Sequence, residues 1–186
     1  MKLIAGVDEV GRGSLIGPVY AAAVILNKSI KKKLLKDSKS LSKNKREFLA
    51  KYIKKNSVWA VGKASVKEIE KMNILQASLL AMKRSIKKLK KKPKLVLIDG
   101  NKIPEIKNYK LKSIIKGDQK IASISAASII AKVSRDKMIT ALGKKIKGYD
   151  WDKNYGYGTK KHLRAIKNLG ITPHHRKTFS PINKIK

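Results

Sequence analysis

The chain of 186 residues contains no cysteine, which excludes disulfide bridges and thiolate-held metals and suits a reducing compartment. Long apolar runs are missing as well. The longest, such as VYAAAVIL from Val19, are of strand length, so neither a membrane span nor a signal peptide is expected, and the protein is read as cytoplasmic. Carboxylates are scarce: 12 acidic residues face 46 lysines and arginines, a formal net charge of +34.

Such an excess attracts polyanions and makes their binding depend on salt. Most of the bases are lysine, and isoleucine and asparagine are frequent too, as an AT-rich genome would produce. Compositional bias inflates lysine, but it does not place carboxylates. The few acids are therefore the better guide to function.

The apolar residues come in blocks that read as one globular domain over 1–186, with a core at 1–145 and an aromatic, helical segment at 146–186. KLIAGVDEV and GPVYAAAVIL read as strands joined by the glycine-rich GRGSLIG. Ser42 is placed to cap a short amphipathic helix, and VWAVGKASV reads as a third strand. Helix-period apolar residues run through EIEKMNILQASLLAMKRSIKKL; KLVLIDG and YKLKSIIKGD follow as strands. SISAASIIAKVSRDKMITALGKK is a helix whose alanine and serine face should pack closely on a sheet, and TKKHLRAIKNLG predicts a last helix. Hairpin-joined strands followed by alternating helix and strand predict an α/β fold, a mixed sheet flanked by helices.

Four of the acids take comparable places. Asp8 and Glu9 follow LIAGV, Asp99 follows LVLI, and Asp118 follows SIIKG, each at or just beyond the end of a predicted strand. Strand ends in such sheets carry ligand sites. One acid alone reads equally as a strand cap or a lysine's partner. Four of twelve in this position read as a site. Carboxylates buried together need cations, and an all-oxygen set selects Mg²⁺ or Mn²⁺ over zinc.

The neighbouring motifs each have two readings. Gly11-Arg12-Gly13 is either an ordinary tight turn or a place where bare backbone meets a nucleic-acid strand. Tyr149, Trp151, Tyr155 and Tyr157, set among lysines, either cover the core or stack on bases and sugars; Tyr157, between two glycines, is expected to be the exposed one. Lys39, Lys132 and Arg135 suit phosphate contacts, although a solvated face is the ordinary use of such residues. His162, His174 and His175 read as structural.

Together the runs AGVDEVGRGSLIGPVYAAAV, DSKSLS, NILQASLLAM, LIDGN, GDQKIASISAASIIAKVSRD, GYGTKKHLRAI and HHRKTF closely resemble ribonuclease HII, in order and over nearly the whole chain. The resemblance implies a ribonuclease H-like fold: a five-stranded mixed sheet, three strands antiparallel, with helices on both faces and a C-terminal helical segment. It implies a monomeric endonuclease that cuts RNA in RNA–DNA hybrids, or single ribonucleotides embedded in duplex DNA, using Mg²⁺ or Mn²⁺. Roles in ribonucleotide excision and primer removal follow from the same resemblance. The family's metal ligands fall on Asp8, Glu9, Asp99 and Asp118. Its contacts to the ribose fall on Gly11, Arg12 and Gly13, and its junction-sensing tyrosine falls on Tyr157. Lysine usually precedes the glycine of GYGT in that family; here Tyr155 stands in its place.

Overall fold

A computed structural model of the chain describes residues 3–35 and 41–185. Strand β1 (Ile4–Val10) pairs antiparallel with β2 (Val19–Leu26), which pairs antiparallel with β3 (Ser57–Ala64). On its other edge β1 takes β4 (Leu95–Asp99) in parallel, and β4 takes β5 (Leu111–Ile114) in parallel, giving the order β3-β2-β1-β4-β5. The expected five-stranded mixed sheet with three antiparallel strands is the one that forms. Alternation along β1 and β2 sorts two cores. Val7, Ala21, Ala23 and Ile98 pack on one face with α2 (Val66–Lys87), whereas Ala22 and Val24 pack on the other with α1 (Lys43–Asn56) and α4 (Ala122–Lys145).

Local chemistry explains the helix boundaries. The Ser42 side chain accepts from the Lys45 N–H, so the predicted cap forms. At the start of α2, Ser65 and Glu68 cap each other reciprocally, and Arg84 grips the same glutamate at 2.7 Å. The continuous periodicity expected through α2 hides a break: Asn73 adopts φ 68°, and its side chain accepts from the N–H groups of Leu75 and Gln76, capping a fresh helical start. The small-residue face of α4 lies where the sequence suggested. A side chain at Gly6 would come within 2.2 Å of the Ser123 backbone, so glycine lets α4 settle directly on β1.

Beyond α4 lie three shorter elements: α5 (Trp151–Asn154), α6 (Lys160–Leu169) and a 3-10 turn at Ile182–Lys184. They pack Tyr149, Trp151, Ile166 and Ile182 against Leu15, Ile16 and Ile139. No helix among the described residues is long and apolar enough to cross a membrane.

Candidate active site

Strands β1, β4 and β5 run parallel, so their carboxyl ends share one edge of the sheet. Val7 stands opposite Ile98 in register, and both point into the α2-side core, so Asp8 and Asp99, one residue on, turn to the α4 face together. Asp118 follows β5 in a short turn of helix, α3 (Gly117–Lys120). Asp8, Glu9, Asp99 and Asp118 line a single cavity of about 330 Å³, with Ser128 and Lys132 from α4 and Arg46 from α1. Asp8 and Asp118 are only 6% and 3% exposed, so two of these charges sit well away from bulk water.

Backbone donors hold the acids in place. Asp8 accepts the Glu9 N–H at 2.7 Å and a bond from the Ser128 hydroxyl. Asp99 accepts the Gly117 N–H at 2.7 Å and the Asp118 N–H at 3.4 Å, tying the turn that carries Asp118 to the end of β4. Burial pushes the Asp8 carboxyl well above its ordinary range, and the charges of Glu9 and Asp99 push it further. Burial raises Glu9 as well, against the pull of Arg12, whose guanidinium stands 3.4 Å away. Both shifts record negative charge short of compensation. Among the described residues, no three acid or histidine side chains close around a point as a finished metal cage. The four carboxylates instead line the walls of the cavity. Their all-oxygen donor set and shortage of counter-charge fit hard divalent cations.

The Gly11-Arg12-Gly13 turn lies beside this cavity, and its two glycines serve different ends. At Gly11 (φ +92°) a side chain would strike Arg135, 2.1 Å from its Nε. At Gly13 nothing lies within 4 Å, leaving the backbone open, and the Arg12 side chain is exposed. Arg135 is therefore a correction to the sequence reading. It is fully buried, not a surface phosphate contact, and it donates to the carbonyls of Ile16, Pro18 and Tyr155 at 3.0, 3.2 and 3.1 Å. Arg176, also fully buried, donates to the carbonyls of Arg12 and Gly17, both at 2.9 Å. Burial and the nearby Arg135 bring the Arg176 guanidinium down to about 9.

Tyr157 is half-buried, not the free aromatic expected, because cations cover its ring: the Lys132 ammonium at 5.6 Å and the Arg135 guanidinium at 5.7 Å. Tyr149 and Trp151 stack at 4.8 Å inside the third core, as the core-covering reading allowed. His162 and His175 are buried there too. His162 accepts from the Trp151 indole at 2.9 Å, and His175 accepts the Thr172 N–H at 2.9 Å. Lys132 lines the cavity, and Lys39 lies outside the described residues. Sequence reasoning passed over Ser128 and Arg46. The one available signal for Ser128 was its place a single turn before Lys132, on the same face of α4.

A family profile described as Ribonuclease HII matches residues 5–182. The chain belongs to the ribonuclease HII family. It is 76% identical over 185 residues to the ribonuclease HII of Pelagibacter ubique (strain HTCC1062), covering 100% of both chains. In structure it is similar to the ribonuclease H2 of Pyrococcus horikoshii OT3, with a TM-score of 0.78, 27% identity, and 97% and 95% of the two chains covered. The fold also matches that of Bst-RNase HIII, solved in complex with Mn²⁺, at a TM-score of 0.72 and 18% identity, over 98% of this chain and 68% of that one. The protein thus has the ribonuclease H-like α/β fold and is an endoribonuclease of the ribonuclease H type, acting on the RNA of RNA–DNA hybrids.

Proposed function

We propose that the acid-lined cavity cleaves not only RNA–DNA hybrids but also single ribonucleotides embedded in duplex DNA. The cut falls on the 5′ side of the ribonucleotide and leaves a 5′-phosphate and a 3′-hydroxyl. The observation that carries this reading is the arrival of four carboxylates from three adjacent parallel strands in one cavity rimmed by cationic side chains. Asp8, Glu9, Asp99 and Asp118 would hold a pair of Mg²⁺ or Mn²⁺ ions, which when bound supply water activation and neutralise charge at the scissile phosphate. Support for Mn²⁺ comes from the related-fold Bst-RNase HIII, solved in complex with it.

The protein's own groups supply position and polarity. Lys132 and Arg46, at the cavity wall, attract the phosphodiester and orient it over the carboxylates. Ser128 donates to the Asp8 carboxylate and, with the Glu9 N–H, fixes its orientation in the cavity. The open backbone at Gly13 and the exposed Arg12 stand where a ribose 2′-hydroxyl can be read, which is the group that separates RNA from DNA. Tyr157, its ring positioned by Lys132 and Arg135, would offer a ring face to the sugar on the deoxyribose side of the junction. Its partner is thus duplex nucleic acid containing ribonucleotides, met by a monomer.

The test is cleavage of a DNA duplex carrying one ribonucleotide, with Mg²⁺, with Mn²⁺ and with chelator. Cutting 5′ to the ribonucleotide that stops on chelation is expected. Cutting that continues in chelator, or cutting only of uninterrupted hybrids, would overturn the proposal.

A further inference from the structure

A second cavity of about 460 Å³ lies between α1 and α4 and shares Arg46 with the acid-lined one. Its walls come from two matching stripes. One runs along residues 43–54 of α1 and the other along residues 133–144 of α4, each following one helical face over twelve residues. Small residues, Ala50, Thr140 and Ala141, keep the floor open. Among the described residues, Lys43, Arg46, Lys51, Lys54, Lys137 and Lys144 face only Glu47 and Asp136, a net charge of +4, and Asp136 is already paired with Lys132 at 3.0 Å.

Two further features favour a phosphate ligand. The Lys54 ammonium lies 4.7 Å from the Trp59 ring, and burial, then repulsion from Lys137, draws its pKa below the ordinary lysine value. Among the described residues, no carboxylate offsets that crowding of like charges at Lys54. At the end of the groove nearest the carboxylates stands Tyr155, a left-handed residue (φ 52°) that is not glycine. Arg135 holds its carbonyl at 3.1 Å, and Lys132 covers its ring at 4.9 Å. Backbone strain of this kind persists where the surroundings impose it. Here it sets the Tyr155 residue on the groove wall, its ring beside the Lys132 that lines the first cavity.

We propose that the α1–α4 groove is a second phosphate-backbone site, which takes one strand of the nucleic-acid substrate as it leaves the carboxylate cavity past Arg46, Lys132 and Tyr155. The inference rests on the nuclease reading above and extends it. From first to last, twelve residues of helix span about 17 Å, the axial rise of roughly five nucleotides.

With so many lysines on the chain, the experiment must separate position from overall charge. Lys51, Lys137 and Lys144 are exposed groove residues; Lys87, Lys88 and Lys91, at and just beyond the end of α2, are exposed on the opposite side of the sheet. Each trio is changed to glutamine, so both variants give up the same charge. Binding to a 20-base-pair RNA–DNA hybrid is measured across salt concentrations in chelator, and cleavage of the same hybrid is measured with Mn²⁺. The groove trio is expected to lower the slope of log K against log salt by about 2–3, near 0.9 for each phosphate left without its lysine, and the control trio to leave it within about 0.3. Lys144→Gln alone should lower the slope by about 1. Equal slopes for groove and control trios overturn the inference, as does a groove trio that binds like the unaltered protein. An unaltered protein that cannot cut the hybrid overturns the nuclease reading instead, whatever the slopes show.

Discussion

Two clusters of buried charge lie side by side in the chain, and they are satisfied in opposite ways. At Asp8 and Glu9, joined in one cavity by Asp99 and Asp118, burial first and then neighbouring carboxylates raise the pKa of Asp8 and Glu9. Behind the turn that follows, Arg135 and Arg176 bury two positive charges, with five main-chain carbonyls of residues 12–18 and 155 as acceptors. Carbonyl dipoles replace most of the water the arginines gave up, with Arg176 Nη2 left without an acceptor among the described residues. The carboxylates are supplied less fully. A cluster supplied by its own fold is scaffold, and one left short of counter-charge is a place for something else to bind.

The two clusters should therefore respond oppositely to neutralisation, and the largest effect belongs to the acids. Asp118→Asn should cut hybrid cleavage by about three orders of magnitude while duplex binding survives, since several kcal/mol of charge stabilisation at the phosphate is lost. Asp8→Asn should do the same and should also raise the thermal midpoint of the metal-free protein at pH 7. The sign follows from linkage. An acid whose pKa is raised on folding contributes stability below its unfolded value and loses it as pH rises through the folded one, so at pH 7 Asp8 is a cost that asparagine removes. Retained cleavage in either variant, or a lowered midpoint in Asp8→Asn, would place these acids among ordinary structural carboxylates.

Neutralising an arginine should do the reverse. Arg135→Met takes the guanidinium from three buried carbonyls, leaving those of Ile16 and Tyr155 to share the Ser14 hydroxyl, and should destabilise the fold by about 3–5 kcal/mol, seen as a shifted urea midpoint. Arg135→Lys restores charge but not the fork, and should recover only part of that loss. If Arg135→Met unfolds like the unaltered protein yet binds duplex poorly, the surface role read from sequence was the right one.

That reading failed for a physical reason. Arg135 sits among Lys132, Asp136 and Lys137, so its neighbours announce a solvated helix face, and the carbonyls that claim it are about 120 residues away in sequence for Ile16 and Pro18. The acids were legible because strand ends are local: an apolar run followed by Asp8 or Asp99 states both the strand and where it stops. Asp118 was legible only as an acid beyond a strand. The left-handed Lys116 and the short helix that turn it inward leave no mark in composition. The break in α2 at Asn73 was hidden similarly, since apolar spacing continues across it while the cap comes from one side chain. Tyr157 was misjudged because flanking glycines suggest exposure, but the cations that cover it come from α4.

The aromatic core beneath the arginines adds a pH dependence that the acid cavity cannot mimic. His175, 1% exposed, has its pKa lowered to about 4, by burial first and then by His162. The unfolded chain takes up this proton near 6.5 and the folded one only near 4, so stability is full above pH 6.5 and declines as pH falls through that window. Between pH 7 and pH 5 the loss should be about 2 kcal/mol by urea unfolding, and His175→Gln should flatten that slope whatever its stability at pH 7. An unchanged slope would mean that another group, His162 foremost, carries the proton.

Tyr157 touches both clusters, and its expected effect is the smallest. Its ring lies close to both Lys132, at the acid cavity, and Arg135, in the scaffold, so its removal acts through substrate or through packing. Stacking on a sugar or base contributes about 1–3 kcal/mol. Tyr157→Ala should therefore lower kcat/KM on a duplex with a single ribonucleotide about tenfold, while a long hybrid, offering many registers, loses about twofold or less. Tyr157→Phe keeps the ring and should preserve both activities. Any stability cost is common to the two substrates in one preparation, so the ratio of the two declines isolates the role of the ring at the junction. Equal declines on both would assign Tyr157 to the scaffold, with Arg135 as its main partner.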